Sequence, residues 1–153
     1  LIKKFFHDKI NEILKGTTMT KEEKISFVMN ALKEGTYMIL PDTLTTGEGL
    51  VYKISLSGNL SEDGIERGFL YIPAGSGIKY HPHNNDLEVY RLLQGVLSID
   101  NKEMEINICG QNGEHGIDIV STDTIIETCK MNELFLGESI DSYKEKYSYL
   151  KGR

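Results

Sequence analysis

His81 and His83 stand two apart in the stretch GSGIKYHPHNNDLEVYRLLQG, residues 75 to 95, and Glu88 follows five positions after His83. Two imidazoles and a carboxylate are a donor set for a divalent first-row metal. A 2-His-1-carboxylate set also leaves coordination positions open for water, substrate or dioxygen. In an extended strand, side chains two apart project to one side, so the two histidines point together and Pro82 points away. Proline brings no N–H to a ladder, which places Pro82 at a strand end, an edge or a bulge. Asn84-Asn85-Asp86 reads as a turn, after which LEVYRLLQG runs back as the second arm of a hairpin and sets Glu88 nearly opposite the histidines. The competing reading is an exposed HPH loop, with Glu88 an outward charge on an edge strand.

The same alternation nominates residues that would act on a substrate. Lys79 shares its face with His81 and His83; a lysine inside a protein needs a partner or a task. It reads either as a contact for an anionic substrate group or as a solvated residue at the strand start. Tyr90 shares its face with Glu88 and Leu92. Its hydroxyl is suited to donate a hydrogen bond or to move a proton at a metal-bound substrate, or to sit at a rim while the ring packs. Thr124, Ile126 and Thr128 would form one mixed wall if their run is a strand.

These residues need a scaffold, and the patterning supplies one. From residue 36 onward the chain is a series of short runs rich in Val, Ile, Tyr and Leu: TYMIL, LVYKISL, ERGFLYIP, LEVYRLL, GVLSID, EMEINI, GIDIV, IIETCKM and ELFLG. Turn pairs such as Pro41-Asp42, Asp63-Gly64 and Asp100-Asn101 separate most of them. About nine strands with no helix between them predict an antiparallel sandwich or barrel.

Ahead of the strands, Ile2, Phe5, Phe6, Ile10, Ile13 and Leu14 recur at helical spacing until Gly16. His7 lies in that helix as a surface or packing residue. A second helix begins at Thr20, whose capping box is completed by Glu23, and carries Ile25, Val28, Met29 and Leu32 before stopping at Gly35. Both helices are expected to cover an open end or edge of the sheet. SIDSYKEKYSYLK returns to helical spacing near the C-terminus.

The 153 residues carry a net charge of −6, with 39% hydrophobic and 26% charged residues. That size suits one domain with one core. No basic stripe is present for nucleic acid, and no run approaches the roughly 20 apolar residues of a membrane span. The N-terminal segment is broken by Asp8, Asn11 and Glu12, unlike a secretory signal. Cys109 and Cys129 lack CxxC spacing and read as free thiols of a cytoplasmic protein.

The histidine stretch resembles the first sequence motif of the cupin superfamily, G-x5-H-x-H-x(3,4)-E-x6-G, which Gly75, His81, His83, Glu88 and Gly95 meet at every fixed position. The resemblance spans roughly residues 50 to 137. It implies a mainly β fold, the double-stranded β-helix (jelly-roll) barrel, with the histidines and glutamate facing inward onto one divalent transition metal: iron, manganese, nickel or zinc. The second cupin motif, G-x5-P-x-G-x2-H-x3-N, is degenerate. Anchored at Gly113, it retains only that glycine, and Thr124 stands where a fourth ligand would be. Two alternatives follow: a three-residue site with Thr124 lending a hydroxyl, or a shifted loop that brings His115 in as fourth ligand. His115 as a surface loop residue is the third.

Together these readings predict a single cupin domain over residues 1–153, with a helical cover over 1–35, a barrel over 36–137 and a C-terminal helix over 138–153. Its expected function is metal-dependent catalysis on a small polar molecule, of isomerase, epimerase or oxygenase type, with Glu88, Tyr90 and Lys79 as catalytic candidates. The alternative is a non-catalytic ligand-binding or sensor cupin with a structural or vestigial metal. Because cupins often dimerise through sheet edges, a homodimer is expected; nucleic-acid and membrane partners are not.

Overall fold

The computed structural model describes residues 19–56, 65–82, 87–109 and 114–131, together with Ser139, Ser142 and Glu145. The helix expected before Gly16, the strand ELFLG and most of the C-terminal helix lie outside these residues. At that C-terminal segment the Ser139 hydroxyl accepts from the Ser142 N–H, the geometry of a helix N-cap.

Helix α1 (Lys21–Glu34) is bounded by chemistry legible in the sequence. The Thr20 hydroxyl accepts from the Glu23 N–H at 3.1 Å, and the Glu23 carboxylate accepts from the Thr20 N–H at 3.2 Å. Gly35 ends the helix in the left-handed region and returns its N–H to Ala31.

Eleven strands follow among the described residues: β1 (Met38–Ile39), β2 (Thr45–Gly47), β3 (Tyr52–Ser55), β4 (Ile65–Ile72), β5 (Ser76–Pro82), β6 (Leu87–Gln94), β7 (Leu97–Ile99), β8 (Lys102–Met104), β9 (Ile106–Cys109), β10 (Glu114–Ile117) and β11 (Thr124–Met131). They form a six-stranded sheet in the order β1-β3-β4-β11-β6-β9, a three-stranded sheet β10-β5-β2, and the hairpin β7-β8. Every described pairing is antiparallel. The hairpin turns on Asp100 and Asn101, both with positive φ, as a two-residue type I′ loop requires. The run EMEINI divides at Glu105 into β8 and β9, and β2, built on Thr-Thr-Gly, is too polar to have been seen in the apolar pattern.

Two cores result. Between the sheets, Leu70, Ile72 and Ile126 of the large sheet meet Ile78 and Ile117 of the small one, with Leu97 and Ile99 from the hairpin. Behind the large sheet, α1 lays Val28 and Ala31 on Ile54, Phe69, Leu93 and Ile125. The helix therefore covers the outer face of the sheet and not an open end or edge. The sheet face offers an apolar row that only a second layer can bury. Met29, expected on the helix's apolar stripe, is 46% exposed; the buried line instead runs through Lys24, Val28 and Ala31. Lys24 is tolerated there because Glu127 on β11 meets it at 2.9 Å. No helix among the described residues is long and apolar enough to cross a membrane.

Cys109 and Cys129 are both buried. Cys129 faces this outer core, and its thiol is pushed up to about 12, chiefly by burial and also by the neighbouring Glu127 carboxylate. An unfolded thiol ionises near 9, so the folded state holds the proton more tightly. Its contribution is complete below pH 9 and is lost as pH climbs from there towards 12. Going from pH 8 to pH 10.5 should therefore cost the unmodified protein about 2 kcal/mol more than a Cys129→Val variant. Urea denaturation of both proteins at both pH values measures this, and equal losses would remove the thiol as the cause.

Candidate metal centre

The site forms where one end of the inter-sheet space turns polar. On β6, Glu88, Tyr90 and Leu92 alternate inward, as the sequence pattern implies, while Leu93 joins the outer core. Directly across the ladders, Lys130 of β11 and Cys109 of β9 flank Glu88, and Thr128 and Asn107 flank Tyr90. Opposed residues of an antiparallel pair share a face, so this end of the large sheet presents two rows of polar and soft side chains.

The small sheet supplies the histidines. His81 on β5 is in register with His115 on β10. Their rings lie 4.9 Å apart, edge to face. His81, Glu88 and His115 each place a ligand atom within 4.8 Å of the other two. His115 Nε2 is 3.0 Å from Glu88 Oε1, and these side chains are 1% and 6% exposed. His83 lies outside the described residues.

This arrangement differs from the expected hairpin. β5 and β6 belong to different sheets, so Glu88 meets His81 across the barrel interior and not along a shared ladder. Lys79 differs too. Between the His115–His81 and Ile117–Ile78 pairs the register slips, with Lys79 and Tyr80 opposing Gly116 alone. The bulge shifts the alternation, so Ile78 and His81, three apart, both line the interior cavity. Lys79 is exposed and lines a separate outer groove with Tyr80 and Asp118. Gly116 permits the bulge, since a Cβ there would lie 2.5 Å from the Ile78 carbonyl oxygen.

Thr124 is also remote. It begins β11, six residues and so about 20 Å of strand from Lys130. Its hydroxyl accepts from the Val96 N–H beside Gly95 and donates to the Thr122 carbonyl at 2.9 Å, with the Val96 carbonyl farther off at 3.4 Å. Gly95, with φ of 91°, leaves no room there for a side chain. Of the alternatives for the degenerate second motif, the inward His115 matches the structure. His115 is 1% exposed on a strand, and the loop-surface reading does not hold.

The hydrogen-bond partners show whether the donors suit a cation. His81 Nδ1 is 2.7 Å from the Lys79 carbonyl oxygen, which can only accept, so Nδ1 carries the hydrogen. His115 Nδ1 lies 3.2 Å from Asn107 Oδ1 in a buried contact, with the same consequence. In the neutral form, each ring therefore carries its lone pair on Nε2. For His115 that lone pair faces a carboxylate oxygen at 3.0 Å, a contact satisfied either by a proton on Nε2, giving an imidazolium–carboxylate pair, or by a cation shared between the two groups. A metal-bound histidine is held in this way, with its second nitrogen donating to an oxygen. The donor set fits a divalent transition ion.

Tyr90 is buried, with its ring stacked on His115 at 4.4 Å and 12°. Burial pushes its phenol well above 10, and the hydrogen-bonded Glu88 carboxylate adds to the shift. The phenol thus stays protonated and donates to Glu88, which orients that carboxylate. Sequence reasoning did not single out Asn107 or Lys130. A lone Asn between the isoleucines of INI was a signal for the first, because a buried amide needs a polar partner. For Lys130, alternation from Thr128 would have sufficed.

A cavity of about 90 Å³ opens beside His81 and Glu88. His81, Glu88, Tyr90, Thr128 and Lys130 form its polar wall, Leu70 and Ile78 its apolar one. Lys53 and Glu66 pair at 3.2 Å where the cavity reaches solvent.

Comparison with solved structures agrees with this architecture. An acetylacetone dioxygenase from Acinetobacter johnsonii superposes with a TM-score of 0.51 at 15% identity, over 77% of this chain and 89% of its own. A predicted oxalate decarboxylase from Thermotoga maritima gives 0.53 at 19% identity, over 63% of this chain and 92% of its own. No family model matches the sequence, and no curated protein matches it. Two facing antiparallel sheets, inward histidines and glutamate, and these neighbours define the class: the chain has a cupin fold.

Proposed function

We propose that this protein is a metal-dependent enzyme acting on a small polar molecule, with one divalent transition metal (iron, manganese, nickel or zinc) held by His81, His83, Glu88 and His115. The observation that carries the reading is the set of three lone-pair donors within 4.8 Å of one another at the polar end of an apolar barrel, Glu88 and His115 buried and His81 half-buried, with His81 and Glu88 lining a cavity. A bound ion would supply Lewis acidity towards a substrate oxygen. The chain's own groups have separable tasks. Asn107 and the Lys79 carbonyl fix the tautomers of His115 and His81, and Tyr90 holds the Glu88 carboxylate in place. The apolar wall of Leu70 and Ile78 limits water beside the donors and sets the size of what enters. Glu88 is a catalytic candidate only through its place at the ligand set. Tyr90 acts as a positioning residue, because its proton is engaged by Glu88 and held tightly.

Isomerase, epimerase and oxygenase chemistry all remain consistent with such a site. The alternative of a non-catalytic cupin whose metal is purely structural requires a saturated ion instead. Cobalt(II) loading separates the two: visible bands that shift on adding azide are expected for an ion with open positions. Bands indifferent to azide would overturn the enzymatic reading, and absence of bands would overturn the metal site.

A further inference from the structure

Charge bookkeeping in the cavity points to the class of ligand. Among the described residues lining it, the ionic groups are Lys53, Glu66, Lys130 and Glu88. Lys53 is engaged by Glu66 at 3.2 Å, and Lys130 lies 3.9 Å from Glu88 Oε2. The two pairs cancel, and a divalent ion on Glu88 would leave the cavity with two uncompensated positive charges. It would also draw the Glu88 carboxylate away from Lys130, whose 3.9 Å separation already exceeds a charge-assisted hydrogen bond. Lys130, one-third exposed at the cavity wall, would then present its ammonium to whatever sits beside the ion. Burying unbalanced charge is unfavourable, and an anion that touches both the ion and Lys130 removes the imbalance.

We propose that Lys130 is the anion-binding group of this cavity and that the ligand taken beside the metal is a small carboxylate. This rests on the metal reading above. The apolar wall limits the remainder of the molecule to a few heavy atoms, and the Thr128 hydroxyl, across from Tyr90 on the same face, offers a hydrogen bond to it.

Glycolate and ethylene glycol differ little in size but differ in charge, and they serve as the probes. Zinc is first titrated into the metal-free full chain, and each probe is then titrated calorimetrically into the zinc-loaded protein. Glycolate should bind at least about ten-fold more tightly than ethylene glycol, and Lys130→Gln should diminish that preference several-fold, with its zinc affinity retained. Lys53→Gln, whose lysine already has Glu66, should retain most of it. Equal binding of the two probes, no binding of glycolate, or an undiminished preference in Lys130→Gln would overturn the proposal. Failure of the unmodified chain to take up zinc in the first titration would overturn the metal reading, and this inference with it.

Discussion

Replacing His115 with alanine should cost the protein its metal and part of its stability at once. His115 is buried at 1% exposure, stacked on Tyr90, hydrogen-bonded to Asn107 and 3.0 Å from Glu88. Deleting the ring opens a void and takes one polar partner each from buried Asn107 and Glu88, a loss of about 2–4 kcal/mol. Metal affinity should fall at least about 100-fold, because outer-shell partners alone contribute 10- to 100-fold. Competition against a chelating dye measures the affinity, and urea denaturation the stability. Asn107→Ala separates the two effects: it leaves the ring in place and should weaken binding by about 10- to 100-fold. Unchanged metal affinity in His115→Ala would reduce His115 to a core histidine paired with Glu88.

The second large effect concerns stability alone. Lys24 and Glu127 are 5% and 4% exposed and meet at 2.9 Å between α1 and the sheet. Lys24→Met would strand the Glu127 carboxylate in the outer core, at a cost of about 3–5 kcal/mol. In a chain of this size that lowers the melting temperature by roughly 10–15 °C. The double variant Lys24→Met/Glu127→Leu should recover most of the loss or exceed the original stability, because an apolar pair needs no desolvation. Calorimetry of the three proteins decides. A single variant as stable as the original would mean that water or another cation reaches Glu127. A double variant as unstable as the single would mean that the pair positions α1.

Much of the scaffold was legible because it depends on local rules. The Thr20/Glu23 box and Gly35 delimit α1, Asp100-Asn101 sets a hairpin, and alternation along β6 places Glu88, Tyr90 and Leu92 on one face. The donor types were legible from the spacing of His81, His83, Glu88 and the flanking glycines. What could not be read is non-local. The pairing of β5 with β10, and not with β6, depends on sheet topology, and no local signal reports it. The bulge opposite Gly116 breaks the period of two, and that slip expels Lys79 from the interior. His115 lay within a degenerate motif, so only its strand register against His81 revealed its inward position. Lys24 carries no local signal of burial, because its partner is 103 residues away.

The measurement that bears most directly on the central claim is elemental analysis by plasma mass spectrometry. It needs protein purified without a metal-affinity tag, compared with a His81→Ala/Glu88→Gln variant. The account predicts close to one iron, manganese, nickel or zinc ion per unmodified chain and almost none in a variant that remains folded. Equal metal in both proteins would contradict it. So would an unmodified chain that stays empty after all four ions have been supplied.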